Sequence, residues 1–196
     1  CYQFKGGIGT SSRVLTTEEG GYTLGVLAQC NFGLRHQLLV AGVPVGAELG
    51  DDMPGVATSG NIPGSETGSI IIVVATDAPL LPHQLKRLAR RAAMGLARTG
   101  SVAGNGSGDI FIAFSTANED AARGPVAQVN TLENNAMNPL FTATVQATEE
   151  AILNALVAAE TMTGASHRKV VALPHDRLQE ALRKYNRLER KGQGDV

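Results

Sequence analysis

The residue of this chain best placed to do chemistry is Ser69. It stands between Gly68 and the apolar run Ile70-Ile71-Ile72-Val73-Val74-Ala75. Such a β-branched run is too short for a membrane span and reads as a strand buried on both faces. The stretch before it, 46–68, is crowded with glycine, proline and acidic residues, including Glu48, Asp51, Asp52 and Glu66. A loop of that length inside a compact domain is either functional or flexible, and chain nicking concentrates at such sites. Cleavage between Gly68 and Ser69 would make the serine a new chain N-terminus. Its hydroxyl would then be the nucleophile and its freed α-amine the base. An unperturbed α-amine titrates at about 7.7–8.0, near working pH. The plain alternative is a Gly-Ser turn ahead of a buried strand.

Other chemistry-bearing residues are weaker candidates. Ser107 and Asp109 lie in Gly104-Asn105-Gly106-Ser107-Gly108-Asp109, where glycines permit close approach to a site and turn chemistry is the alternative. The order helix, glycines, strand excludes a dinucleotide fold, which needs strand, glycines, helix. Gly6-Gly7-Ile8-Gly9-Thr10 fails as a phosphate cradle, because its lysine precedes the glycines and a strand follows. His36, His83, His167 and His175 sit in no recognisable triad context and read as surface residues. Cys1 and Cys30 give neither a disulfide framework nor metal-ligand spacing, and Cys30 reads as a small buried hydrophobe.

The 196 residues, 43% hydrophobic with net charge −1, make one domain with a substantial core and no electrostatic signature of nucleic-acid binding. No apolar run spans a bilayer. Strands are expected over 14–17, Tyr22 to Asn31 and Gln37 to Val45, forming an antiparallel meander. A helix runs from Pro82 to about Thr99, with Leu85, Leu88, Ala89, Ala92 and Leu96 on one face and Lys86, Arg87, Arg90, Arg91 and Arg98 mostly elsewhere. A second apolar strand follows over Ile110 to Ser115, then a loop over 116–137. A long helix is expected from Asn138 to about Met162, burying Phe141, Val145, Ile152, Ala155, Leu156 and Ala159, with Asn138 as its cap. A short strand over Lys169 to Leu173 and a helix from Asp176 to about Arg190 close the chain. This is an α/β (α+β) layered sandwich.

Taken together, Phe4-Lys5-Gly6-Gly7-Ile8-Gly9-Thr10-Ser11-Ser12-Arg13, Gln29-Cys30-Asn31-Phe32-Gly33, the Gly68-Ser69 junction, Asn105-Gly106-Ser107-Gly108-Asp109-Ile110 and the stretches Leu140 to Ala143 and Glu149 to Leu156 carry a resemblance. The chain resembles the C-terminal part of the DmpA-type L-aminopeptidase/D-esterases and the related β-aminopeptidases. The resemblance implies an αββα sandwich, like N-terminal-nucleophile hydrolases but with different strand connectivity. It implies self-cleavage at Gly68-Ser69, with 1–68 ending an α chain and 69–196 forming a β chain. It implies release of N-terminal amino acids from short peptides, amides or esters, with no metal or organic cofactor. Ser69 is then the nucleophile and Asn31, otherwise readable as a hairpin residue, the oxyanion donor. Ser107 and Asp109 contact the nucleophile's amine.

The family carries a substantial region before the segment matching Cys1, contributing strands, pocket walls and a catalytic tyrosine. This chain reads as a fragment of such a protein, or as one of two chains. Tetramers follow from resemblance only. Two cysteines without a disulfide framework make a reducing, cytoplasmic location the default, with a periplasmic one open. Two other functions compete. An acyltransferase like the ornithine acetyltransferases would carry threonine at the junction. A non-catalytic binding domain could have kept the fold.

Overall fold

The computed structural model describes residues 1–50, 68–119, 121 and 123–188. Its centre is a four-stranded sheet of β1 (Ile8–Val14), β2 (Thr23–Asn31), β3 (Ser69–Thr76) and β4 (Ile110–Ser115), in that spatial order. β1 and β2 are antiparallel, as are β2 and β3, whereas β3 and β4 are parallel. Helix α1 (Val45–Leu49) precedes β3, and α2 (Pro82–Arg98) makes the crossover between β3 and β4. Helix α3 (Asn138–Val157) follows β4, and α4 (His175–Lys184) follows a small hairpin of β5 (Met162–Thr163) and β6 (Lys169–Val170).

Strand alternation sorts the side chains into two sets. Leu24, Val26, Ala28 and Cys30 of β2 and Ile70, Ile72, Val74 and Thr76 of β3 are buried, on the face that carries α2 and α3. Close approach of α3 to the edge strand explains Gly9: a Cβ there would collide with the Ala151 carbonyl oxygen and lie 2.5 Å from the Ala155 nitrogen. Arg13 and Glu150 form an ion pair at 2.6 Å across the same seam, and the Asn154 side-chain amide donates to the Thr10 carbonyl at 2.8 Å. The opposite face has no layer over it among the described residues. Leu27, Ile110, Ile112 and Phe114 are 38, 50, 47 and 45% exposed there. β3 is accordingly buried on one face and half-buried on the other, instead of buried on both. The described residues thus supply one sheet and one helix layer of the layered α/β architecture.

Several local expectations differ. Residues 37–45 form no strand. The chain makes a 3-10 turn at Arg35–Gln37 and a bridge between Val40 and Val43, then enters α1. Ala41 and Gly42 both have positive φ, +51° and +76°, the signature of a tight reversal. Leu38, Val40, Val43, Val45 and Leu49 still reach the core, through a compact coil instead of a ladder. The expected loop over 46–68 therefore starts later, because Gly46 to Leu49 are helical. Its span 51–67 lies outside the described residues.

Helix α3 begins at Asn138 with Met137 at the cap, continuous with a preceding 3-10 turn, so Asn138 caps nothing. It ends at Val157, because Met162 and Thr163 pair with β6. Its buried stripe includes Ala143, Thr144, Ala147, Thr148 and Ala151, small residues that admit both the sheet and α2. Helix α4 ends at Lys184, ahead of Asn186 at φ +55°.

Candidate active site

The fold gathers Asn31, Ser69, Ser107 and Asp109 at one end of the sheet. Ser69 opens β3 and pairs in register with Asn31, the last residue of β2. The residues beside them, Ile70 and Cys30, point into the core, so Ser69 and Asn31 both point to the face without helices. On the other side of β3 the chain turns at Gly104 to Ser107, where the Ser107 N–H donates to the Gly104 carbonyl at 2.8 Å, and then enters β4. This turn aims two groups at the head of β3. The Gly108 N–H donates to Ser69 Oγ at 2.9 Å. Asp109 Oδ1 accepts from the Ile70 N–H at 3.0 Å and from the Ser107 hydroxyl at 2.5 Å. Asp109 Oδ2 is buried with no hydrogen-bond partner among the described residues. A buried carboxylate oxygen left unpaired is costly, and marks a place where a donor is missing.

Glycine at two positions follows from this crowding. A Cβ at 108 would stand 3.3 Å from Ser69 Oγ, and one at 68 would collide with the Asn31 carbonyl oxygen.

The sequence named Ser107 and Asp109 here but missed the Gly108 amide between them. Its only signal was a glycine flanked by two polar residues. The thiol beside Asn31 is no rival nucleophile, since burial pushes Cys30 up to about 12. All four histidines are exposed, away from the core. Among the described residues no three His, Cys, Asp or Glu side chains converge as metal ligands, and no helix is long and apolar enough to cross a membrane. The basic residues of α2 are partly absorbed in packing. Arg87 and Arg91 stack over Phe141 at 5.2 and 3.9 Å, and Arg98 pairs with Glu149 at 2.6 Å.

The layered α/β fold of this chain is of the N-terminal-nucleophile-hydrolase-like class, as its likeness to a solved member of that class shows. Within that class the model of peptidase family S58 matches residues 1–170, and the chain belongs to that family. It is 52% identical over 199 residues to the β-peptidyl aminopeptidase of Sphingosinicella microcystinivorans, a match covering 96% of this chain and 50% of the relative. The solved L-aminopeptidase D-Ala-esterase/amidase of Ochrobactrum anthropi superposes with TM-score 0.83 at 46% identity, covering 96% of this chain and 50% of that one. That structure is described as a prototype for the serine aminopeptidases and a new variant of the Ntn hydrolase fold. A β-aminopeptidase of Burkholderia sp. superposes with TM-score 0.81 at 44% identity, covering 94% of this chain and 50% of that one. The chain spans about half the length of the curated relatives it matches.

Proposed function

We propose that this chain is the nucleophile-bearing part of a self-cleaving serine aminopeptidase. The enzyme removes N-terminal residues from short peptides, amides or esters. The observation that carries the reading is the pairing of Ser69 with Asn31 in register, together with the Gly108 amide and the Asp109 carboxylate on the other flank. A hydroxyl flanked by a side-chain amide donor and a carboxylate is the arrangement that this chemistry calls for.

Self-cleavage divides the chain into 1–68 and 69–196. Ser69 Oγ attacks the Gly68 carbonyl carbon, the C–N bond breaks, and the acyl group passes from nitrogen to oxygen. The Ser69 nitrogen keeps its proton and gains the one lost by the hydroxyl. Water then hydrolyses the ester, leaving a Gly68 carboxylate and a free Ser69 hydroxyl and amine. In turnover the amine takes the hydroxyl proton as Oγ attacks the scissile carbonyl. Asn31 donates its side-chain amide to the oxyanion, commonly the largest electrostatic contribution in acyl transfer. The leaving amine takes the proton from the Ser69 ammonium, and water resolves the acyl-enzyme by the same route. Asp109 receives the new ammonium on the oxygen that lacks a partner in the uncut chain, with Ser107 orienting the carboxylate.

The half-exposed sheet face, with Leu27, Ile110, Ile112 and Phe114, is then the seat of the remainder of the longer protein. Family relatives twice this length have the residues to cover it. The test is intact mass of the protein expressed with its upstream region. Two products separating between Gly68 and Ser69, with a Ser69→Ala variant uncut and inert toward aminoacyl amides, is the expected result. A wild-type chain that stays whole, or a Ser69→Ala variant that still turns over, overturns the reading.

A further inference from the structure

Beside Asn31, on the side away from Ser69, lies an open groove of about 420 Å³ whose lining includes Lys5, Gly6, Ile8, Gln29, Asn31 and Val170. Among the described residues Lys5 is the one charged side chain lining it. Its ammonium is held at a definite place, donating to the Gly6 carbonyl at 2.6 Å. Gly6 is itself fixed against β2. The Cys30 N–H donates to the Gly7 carbonyl at 2.8 Å, and a Cβ on Gly6 would lie 2.7 Å from the Cys30 carbonyl oxygen. The register of β1 on β2, Ile8 opposite Gln29, continues backward to set Gly6 level with Asn31. One of the three ammonium donors is used, so two remain for a ligand.

The end of the sheet therefore carries a fixed charge order. Reading across the strands it runs Lys5 ammonium, Asn31 amide, Ser69 hydroxyl, Asp109 carboxylate. Strands are about 4.8 Å apart, so the two charges bracket the nucleophile at a separation on the order of 10–15 Å. A short peptide carries a free carboxylate at its C-terminal end. Its residues extend by about 3.3–3.6 Å each, so a di- or tripeptide with its scissile carbonyl at Ser69 and Asn31 brings that carboxylate within the reach of the Lys5 side chain.

We propose that Lys5 forms a leaving-group subsite, binding the free C-terminal carboxylate of a di- or tripeptide substrate. The inference rests on the aminopeptidase reading above and deepens it. It assigns the polarity of the substrate: amine end toward the Asp109 side, carboxylate end toward the β1 edge. Lys5 acts through binding, not through the reacting atoms. It discriminates peptides with a free carboxylate from their amides and esters, and its ammonium repels a substrate lying in the reverse sense.

The experiment uses the full-length, self-cleaved protein. Hydrolysis of a β-alanyl dipeptide, of its C-terminal amide and of a β-alanyl p-nitroanilide is compared for wild type, Lys5→Met and Lys5→Arg. The wild type is expected to favour the free dipeptide over the amide by about 3–10-fold in kcat/KM, a partly exposed ion pair. Lys5→Met brings that ratio to near one by raising KM for the dipeptide, and Lys5→Arg keeps the preference. A Lys5→Met enzyme with the wild-type ratio overturns the subsite, as does a wild type with no preference. Failure of the wild type on all three substrates overturns the aminopeptidase reading and the subsite with it. Should Lys5→Met not fold, the wild type alone decides. Its preference must decline as salt screens the pair, and a salt-independent ratio refutes the proposal.

Discussion

Replacing Asp109 by asparagine separates what that residue does for stability from what it does for reaction. In the uncut chain its Oδ1 accepts two hydrogen bonds, from Ile70 N–H at 3.0 Å and from the Ser107 hydroxyl at 2.5 Å. Hydrogen bonds to a charged acceptor are worth about 1.5–3 kcal/mol net and neutral ones about 0.5–1.5, so losing the charge costs about 2–3 kcal/mol over the pair. Oδ2 is buried and unpaired. Asparagine puts an equally unpaired amide nitrogen in that place, so no compensating gain is expected there. The net change is then a loss of about 2–3 kcal/mol in stability. Turnover behaves otherwise. A carboxylate beside the freed Ser69 amine favours its ammonium form by about 1–3 pKa units. That same energy stabilises the ammonium that forms as the serine attacks, about 1.4 kcal/mol per unit. Asp109→Asn should therefore lower kcat/KM by about 10–1,000-fold. The base must be neutral to act, and losing the carboxylate lowers its pKa. The acid limb of the pH profile should thus move to lower pH by the same one to three units. Urea unfolding of the uncut Ser69→Ala protein with and without Asp109→Asn, and the pH dependence of kcat/KM on the cleaved protein, measure the two effects. A variant within about threefold of wild type with an unmoved acid limb refutes the role of Asp109. So does a loss of activity that simply follows a loss of stability.

Three further outcomes are expected. Gly9→Ala drives a methyl into the Ala151 carbonyl and should destabilise by about 1–3 kcal/mol in denaturant titration; a change under about 0.5 kcal/mol would show that β1 can lift off α3. Hydrogen bonds from Arg13, then from Ser11, hold the Glu150 carboxyl below its usual range. Its folded pKa is depressed, so the stabilisation is present above the ordinary carboxylate value and disappears as pH falls through the folded one. Both partners are partly exposed, so Glu150→Gln should remove only about 0.2–0.5 kcal/mol of acid-range pH dependence in unfolding measured from pH 7 to 3. Burial that pushes the Cys30 thiol up to about 12 leaves about one part in 10⁴ as thiolate at pH 8. Iodoacetamide should label Cys30 only after unfolding, and peptide mapping that finds it alkylated in the folded protein contradicts the burial.

Periodicity carried the parts of the fold that local pattern controls. Leu88, Ala92 and Leu96 of α2 bury as their spacing requires, and Ile70 to Ala75 form the strand their β-branching predicts. The candidate site was readable through Ser69, since a serine after glycine at the head of an apolar strand is visible in one dimension. What failed depends on partners distant in the chain. Leu38, Val40 and Val43 look like strand residues, yet they pack as coil because Ala41 and Gly42 reverse the chain and no neighbouring strand accepts them. The threonines and alanines of α3 look unremarkable until Gly9 and Gly95 bring β1 and α2 against them. An all-apolar run such as Ile70 to Ala75 cannot itself say whether its second face is covered.

That second face explains why chemistry and folding can share one strand. In β3 the even-numbered residues Ile70, Ile72, Val74 and Thr76 are buried against the helices, while Ser69, Ile71, Val73 and Ala75 face the other way. The same division in β2 sends Cys30 inward and Asn31 outward. A one-residue slip of β3 on β2 would bury the serine and expose isoleucine, so the hydrophobic pattern that fixes the core also fixes which side Ser69 occupies. The register then brings Asn31 opposite it without any specific contact between the two side chains being needed to hold them. On the β4 side, by contrast, Asp109 and Gly108 hold the head of β3 with polar bonds, at the place where the proposed cleavage would leave a chain end. Ser69 is thus positioned by the core on one flank and by hydrogen bonding on the other. Substitutions of the inward-facing residues of β2 should act through stability, whereas those of Asn31 and of the β4 flank act through rate.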